Sequence, residues 1–192
     1  MPTLNTNDPQ TQLIFRSTSF SPTAANDLER GTATAYNMSV AGVTDGSYRQ
    51  AVKADLKMTT DGDLPDEVSV SMCLEFSTGA KPTAGEAVYI YNCGSDIATA
   101  ANGNSGATNG TDAAYTGANS NPGSTIKQCK LIGVLTCSSD AGQQIGIDIG
   151  RFRPLQRYAN LVLRNESGVT LSTNTNEHHI VLDPVVSEAQ TT

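Results

Sequence analysis

The sequence predicts an all-β fold, an antiparallel β-sandwich of the jelly-roll kind, on three observations. The first is residues 67–76, where Val68, Val70, Met72, Leu74 and Phe76 alternate with Glu67, Ser69, Ser71, Cys73 and Glu75. A helix would scatter those five apolar side chains around its surface, whereas a strand puts them on one face. The second is the run of about eight strand-length segments set apart by turn residues, with almost no helical periodicity between them. The third is residues 158–164, in which Leu161, Val162 and Leu163 form an unbroken apolar stretch. Such a stretch suits a strand covered on both faces, in the middle of a core.

Taken in order, residues 1–10 are polar, contain Pro2 and Pro9, and read as a flexible N-terminal arm that orders on a partner. Residues 11–18 form a first strand around Leu13, Ile14 and Phe15. Residues 21–30 are either a short helix, with Ser21 as cap, Pro22 at the first position and Gly31 as stop, or a loop with one helical turn. Residues 32–40 are a weak strand. In residues 49–60, Val52, Ala54, Leu56 and Met58 alternate with Lys53, Asp55 and Lys57, the pattern of a half-buried strand. The acidic turn 61–66 leads into 67–76, and residues 86–92 follow with Val88 and Ile90 inward.

Residues 94–124 are built almost wholly from Gly, Ala, Ser, Thr, Asn and Asp, with single Ile97, Tyr115 and Pro122. They lack the apolar surface for a core of their own. They read as a long loop projecting from a single domain spanning 11–186, and persistent long loops are often functional. Tyr115 is the side chain able to anchor it and a candidate protein contact. Residues 124–137 form a long strand, apolar on both faces from Leu131 to Leu135. In residues 144–149, Ile145, Ile147 and Ile149 alternate with Gly146 and Asp148. After 158–164 come a weak strand at 169–171 and a last strand at 179–186. There Pro184 belongs at an edge or near the strand end, because it lacks the ladder N–H. Residues 187–192 are a polar tail.

The balance of charge narrows the function. Of 192 residues 16% are charged, and the net charge of −7 argues against nucleic acid, whose binding rests on Lys and Arg neutralising phosphates. It argues equally against docking on anionic lipid. No stretch reaches the roughly 18 apolar residues of a spanning helix. The first residues have neither a basic nor an apolar region of a secretory signal, which points to assembly in a cytoplasm. Cys73, Cys93, Cys129 and Cys137 lack zinc-ligand spacing and are expected as free thiols or small strand residues, with one disulfide open if the protein meets an oxidising exterior.

Candidate chemistry is sparse. His178 and His179 are strand neighbours facing opposite ways, so they do not share an ion. No nucleophile-elbow or phosphate-loop motif occurs, so no catalytic residue, cofactor or metal is assigned. The turn containing Asp61, Asp63, Asp66 and Glu67 has the carboxylate density of a calcium site without the spacing of an EF-hand, and ordinary turn chemistry explains it. The sharpest cluster is Arg151, Arg153, Arg157 and Arg164. It reads either as a solvated flank paired with the chain's own carboxylates or as a docking patch for an acidic protein surface. Arg151, Arg153, Arg157 and Tyr115 are the candidate protein-contact residues.

Five segments occurring in order carry a resemblance: TAGEAVYIY (83–91), GTDAAYTG (110–117), QCKLIGVL (128–135), GRFRPLQRYANLVLRNESG (150–168) and HHIVLDPVV (178–186). Together they resemble tailed-bacteriophage virion structural proteins, in particular head decoration (cement) proteins. The resemblance implies a non-enzymatic β-rich protein, often a homotrimer, that binds the major capsid protein shell from outside. It implies location on the virion after assembly in the host cytoplasm. The alternative is a tail or fibre component with a receptor- or glycan-binding role, for which Tyr89, Tyr91 and Tyr115 are the available aromatics.

Overall fold

A computed structural model describes residues 11–30, 33–58, 63–77 and 79–185. The expected arm, the polar tail and the Asp61 end of the acidic turn lie outside the described residues. In chain order the strands are β1 (Gln12–Arg16), β2 (Ala33–Asn37), β3 (Tyr48–Gln50), β4 (Ala54–Asp55), β5 (Glu67–Phe76) and β6 (Ala87–Ser95). They continue as β7 (Ala113–Ala114), β8 (Lys130–Thr136), β9 (Gly142–Phe152), β10 (Tyr158–Glu166) and β11 (His179–Val185). One helical turn, α1, covers Pro122–Thr125.

The strands form a β-sandwich of two sheets. The first is ordered β2-β1-β11-β5-β9 and the second β7-β3-β10-β6-β8, with β4 also paired to β10. The core between them follows the two-residue period. Val68, Val70, Met72, Leu74 and Phe76 of β5, Leu13 and Phe15 of β1, and Ile180 and Leu182 of β11 meet Val88, Ile90, Leu161 and Leu163 from the other sheet. All are buried. Strand β10 is central as expected, with β6 on one side and β3 and β4 on the other.

Several expectations change. The first sheet is mixed: β2 runs parallel to β1, with Leu13 opposite Thr34. A parallel neighbour needs a crossover of a dozen or more residues, and residues 17–32 supply that length. Residues 21–30 make no helix; Asn26 N–H bonds Thr23 O at 2.9 Å in a single turn. Within the described part of the expected strand at 49–60 there are two short pieces, β3 and β4, because between them the Val52 and Lys53 N–H groups bond Asn37 O and Gly110 O instead of a sheet neighbour. Residues 122–128 are helical turns rather than strand. Pro122 sits at the first helical position and the Asn121 side chain accepts from Ser124 N–H at 3.2 Å. Pro184 lies in β11 beyond the residues paired with β1, which satisfies its missing donor.

Strand β9 departs most from its apparent alternation. Between Val70 and Met72 of β5 the register slips, so Gly150 and Gly146 take the facing positions. Asp148, at φ 53°, stands inside this bulge. The inward positions are glycines because β8 passes there: a Cβ on Gly150 would come within 2.1 Å of Ile132 O, and one on Gly146 within 2.8 Å of Leu135. Ile149 fills the gap, while Ile145 and Ile147 point outward, 41% and 62% exposed.

Candidate binding surfaces

The outward face of the second sheet carries Cys93, Val162, Tyr48 and Tyr91, with Tyr89 beyond them. Residues 94–129 fold back over part of it. Cys93, Tyr115, Ile126 and Val162 form a second, smaller core there, apart from the one between the sheets. The segment expected to project is therefore a cover. Its polar composition is offset by an unusual number of ties rather than by apolar burial.

The first tie is a disulfide between Cys93 and Cys129, at the two ends of the cover, which replaces the expectation of free thiols at these positions. Cys73 and Cys137 are free and buried. Burial, aided by the Glu177 and Glu75 carboxylates, pushes the Cys73 thiol up to about 12. Gly106 lies against the bridge at φ 65°, where a Cβ would come within 2.3 Å of Cys129 Sγ. The second tie is Tyr115. It is 3% exposed, and its hydroxyl donates to Gly106 O at 2.7 Å. Tyr115 anchors the segment, as its setting suggested, but it does not present a contact surface, because both ring and hydroxyl are used internally.

The third tie is Lys53, whose alternation pointed it outward. Its ammonium donates to the carbonyls of Ile97, Thr99 and Asn102 at 2.8, 2.7 and 2.9 Å and to Ser95 Oγ at 3.2 Å. Burial lowers its pKa, yet the oxygen cage satisfies the charge, as a buried ammonium requires. The fourth is Asp112. Its carboxylate accepts from Arg49 Nε and Nη2 at 2.8 and 2.5 Å and from Ser39 N–H at 3.1 Å. Neither Lys53 nor Asp112 was singled out from sequence. The available signal was the pair of cysteines bracketing the Gly- and Asn-rich stretch.

The arginine cluster does not gather into one patch. Arg151 lies within β9 and binds Asp148 at 2.7 Å and Glu67 at 3.3 Å. Hydrogen bonds from Arg151 and Ser69 hold the Asp148 carboxyl down to about 2. Arg153, with 72% of its side chain exposed, is 3.9 Å from Asp66. Arg157 forks onto Asp55 at 2.7 and 3.1 Å and lies over the Tyr158 ring. Arg164 pairs with Glu166 and lies over Tyr48, toward the other end of β10. The acidic turn thus supplies Glu67 to Arg151 in β9 and Asp66 to Arg153 just after it. Among the described residues no group of three or more His, Cys, Asp or Glu is placed to hold a metal.

The histidine pair is structural. His178 Nδ1 accepts from Glu75 N–H at 3.2 Å while Nε2 faces Ser172 O at 3.0 Å. His179 Nε2 accepts from Leu28 N–H at 3.1 Å while Nδ1 faces Glu177 O at 2.8 Å. Each ring therefore carries its proton on the nitrogen facing the carbonyl. Burial lowers both pKa values. His179 and Gln12 hold residues 17–30 over the outer face of the first sheet.

No protein-family model, curated protein or solved structure matches the chain. Among the described residues no helix is long and apolar enough to cross a membrane.

Proposed function

We propose that this chain is a non-enzymatic structural protein of a bacteriophage virion, a decoration protein that binds the outer surface of the major capsid protein shell and stabilises it, acting as a homotrimer. The observation that carries the reading is the strand pairing. Setting aside the short β2, β4 and β7, eight strands remain, and they pair first with last, second with seventh, third with sixth and fourth with fifth. These pairs are β1 with β11, β3 with β10, β5 with β9 and β6 with β8, every one antiparallel. That nesting is how a jelly roll is wound, an architecture of viral capsid and lectin domains. The segments resembling virion proteins fall on β6, the cover, β8, β9–β10 and β11.

The contact side follows from exposure. The outer edge of β9 and the turn after it present Ile147 at 62% and Leu155 at 82% exposure beside Arg151 and Arg153. Exposed ion pairs are screened by solvent and contribute little, so these arginines exchange an internal carboxylate for one on a shell at little cost. Several such modest contacts per oligomer add up through multivalency.

The test is reconstitution. Purified protein added to shells lacking it sediments with them to a fixed saturating ratio, and image reconstruction shows it at symmetric positions on the head. Failure to sediment with shells, or density on the tail instead, overturns the reading.

A further inference from the structure

We propose that the groove between the turn before β3 and the 114–122 part of the cover is a binding site for a neutral saccharide, engaging one sugar ring. The inference stands apart from the shell-binding reading, because it concerns the free protein.

The groove has a volume of about 340 Å³, at the small end of ligand sites. Tyr48 and Pro122 line it with the hydroxyl-bearing Ser47, Thr116 and Ser120, the buried Tyr115 lies at its base, and no charged side chain lines it. Apolar ring faces beside hydroxyls are what a pyranose needs, since its C–H face is apolar and its rim is hydroxylated. The lack of charge disfavours phosphates and acidic sugars, which need a cation to replace their lost hydration.

Two further observations point the same way. Ser47 Oγ is engaged with Thr44 and the Tyr115 hydroxyl with Gly106, but the Tyr48, Thr116 and Ser120 hydroxyls have no hydrogen-bond partner among the described residues. These three hydroxyls, on half-buried Tyr48 and exposed Thr116 and Ser120, are open to solvent and free to bond a ligand. The rim is also held in a costly shape: Asn119 and Ser120 are consecutive non-glycine residues at φ 52° and 56°. Such residues cost on the order of 1 kcal/mol each and persist only where the surroundings fix them. Here Gly117 packs against Pro122, where a Cβ would come within 2.8 Å of Pro122 Cα, and Thr125 Oγ1 accepts from Ala118 N–H at 3.0 Å. The Arg164 guanidinium, 5.4 Å from the Tyr48 ring centre, fixes that ring from outside the groove. A rim prepaid in this way binds without further ordering.

The experiment is a titration of the isotope-labelled full chain, followed by amide NMR, with methyl glycosides of glucose, galactose and N-acetylglucosamine and with sialyllactose as the charged comparison. The expected result is saturable shifts confined to residues 44–48 and 114–122 for at least one neutral glycoside, with a dissociation constant on the order of 1 mM. Thr116→Val and Ser120→Gly, which leave the fold intact, each weaken binding about 2- to 10-fold, the loss of one neutral hydrogen bond. Tyr48→Phe, which keeps the ring and removes its hydroxyl, does the same. Absence of shifts with every neutral glycoside, shifts elsewhere on the molecule, or unchanged affinity in all three variants overturns the proposal.

Discussion

The two outer faces of the sandwich are both covered by segments poor in apolar residues, yet they are fastened by different chemistry. Over the first sheet, residues 17–30 are held by neutral and carboxylate groups. Buried His179 accepts from Leu28, Gln12 bonds Leu28 and Arg30, and buried Glu177 accepts from Thr23 and Asn26. Over the second sheet, residues 94–129 are held by a disulfide, a caged ammonium and an Arg–Asp pair. The contrast teaches that a Gly-, Ser- and Asn-rich segment gains one conformation by satisfying polar groups at a few fixed points. It also separates the two faces by the condition that attacks each: acid for the first, reduction for the second.

Reduction, or Cys93→Ser with Cys129→Ser, has the largest expected effect. Freeing a loop of 36 residues costs about 4 kcal/mol by chain entropy. Amide exchange across 94–129 accelerates first, while the strands of the first sheet keep their protection. Equal acceleration of both sheets breaks the comparison.

Leu161→Ala, at a fully buried inward position of β10, tests the shared core. It costs about 3 kcal/mol, read from the denaturation midpoint, and lowers protection on both sheets together. A loss confined to one sheet contradicts a common core.

Lys53→Met removes the charged donor from three carbonyls, leaving Ile97 O and Asn102 O to share Ser95 Oγ and Thr99 O with Asn102 N–H alone. The expected cost is about 2 kcal/mol, concentrated as faster exchange at residues 95–102.

Acid sharpens the other side. Both histidines have folded pKa values below the ordinary 6.5, because burial disfavours the charged ring. The unfolded chain therefore takes up protons first. Stability from the neutral rings is complete above about pH 6.5 and is lost as pH falls beneath it, by at most about 1.4 kcal/mol per pH unit for each ring. Thermal melts from pH 8 to pH 5 show this loss, and His179→Gln flattens part of it. A melting temperature that does not fall over this range removes the assignment. Smallest in stability is Leu155→Asp on the exposed turn, which leaves the melt within about 0.5 kcal/mol while reducing shell binding.

Legibility in the sequence followed the source of each element's stability. Strand β5 reads plainly because burial on one side imposes a two-residue period, and all five apolar residues are inward. Strand β9 misleads because its apolar residues alternate just as well, yet two register-shifting residues and the close pass of β8 reverse their facing. The arginines were visible as a cluster in sequence. Their partners Asp55, Glu67 and Asp148 come from other strands or from a bulge, so the pairing that disperses them was not. The cover was readable only as a long polar stretch.

Alone, then, the order of residues determined two layers of sheet, the central place of β10 and the acidic, weakly charged exterior. These follow from local periodicity and composition, which each segment carries by itself. The folded chain decided the parallel β2, the bulge in β9, the disulfide and the cage around Lys53. Those depend on atoms distant in sequence meeting at bonding distance, and no local pattern encodes such a meeting.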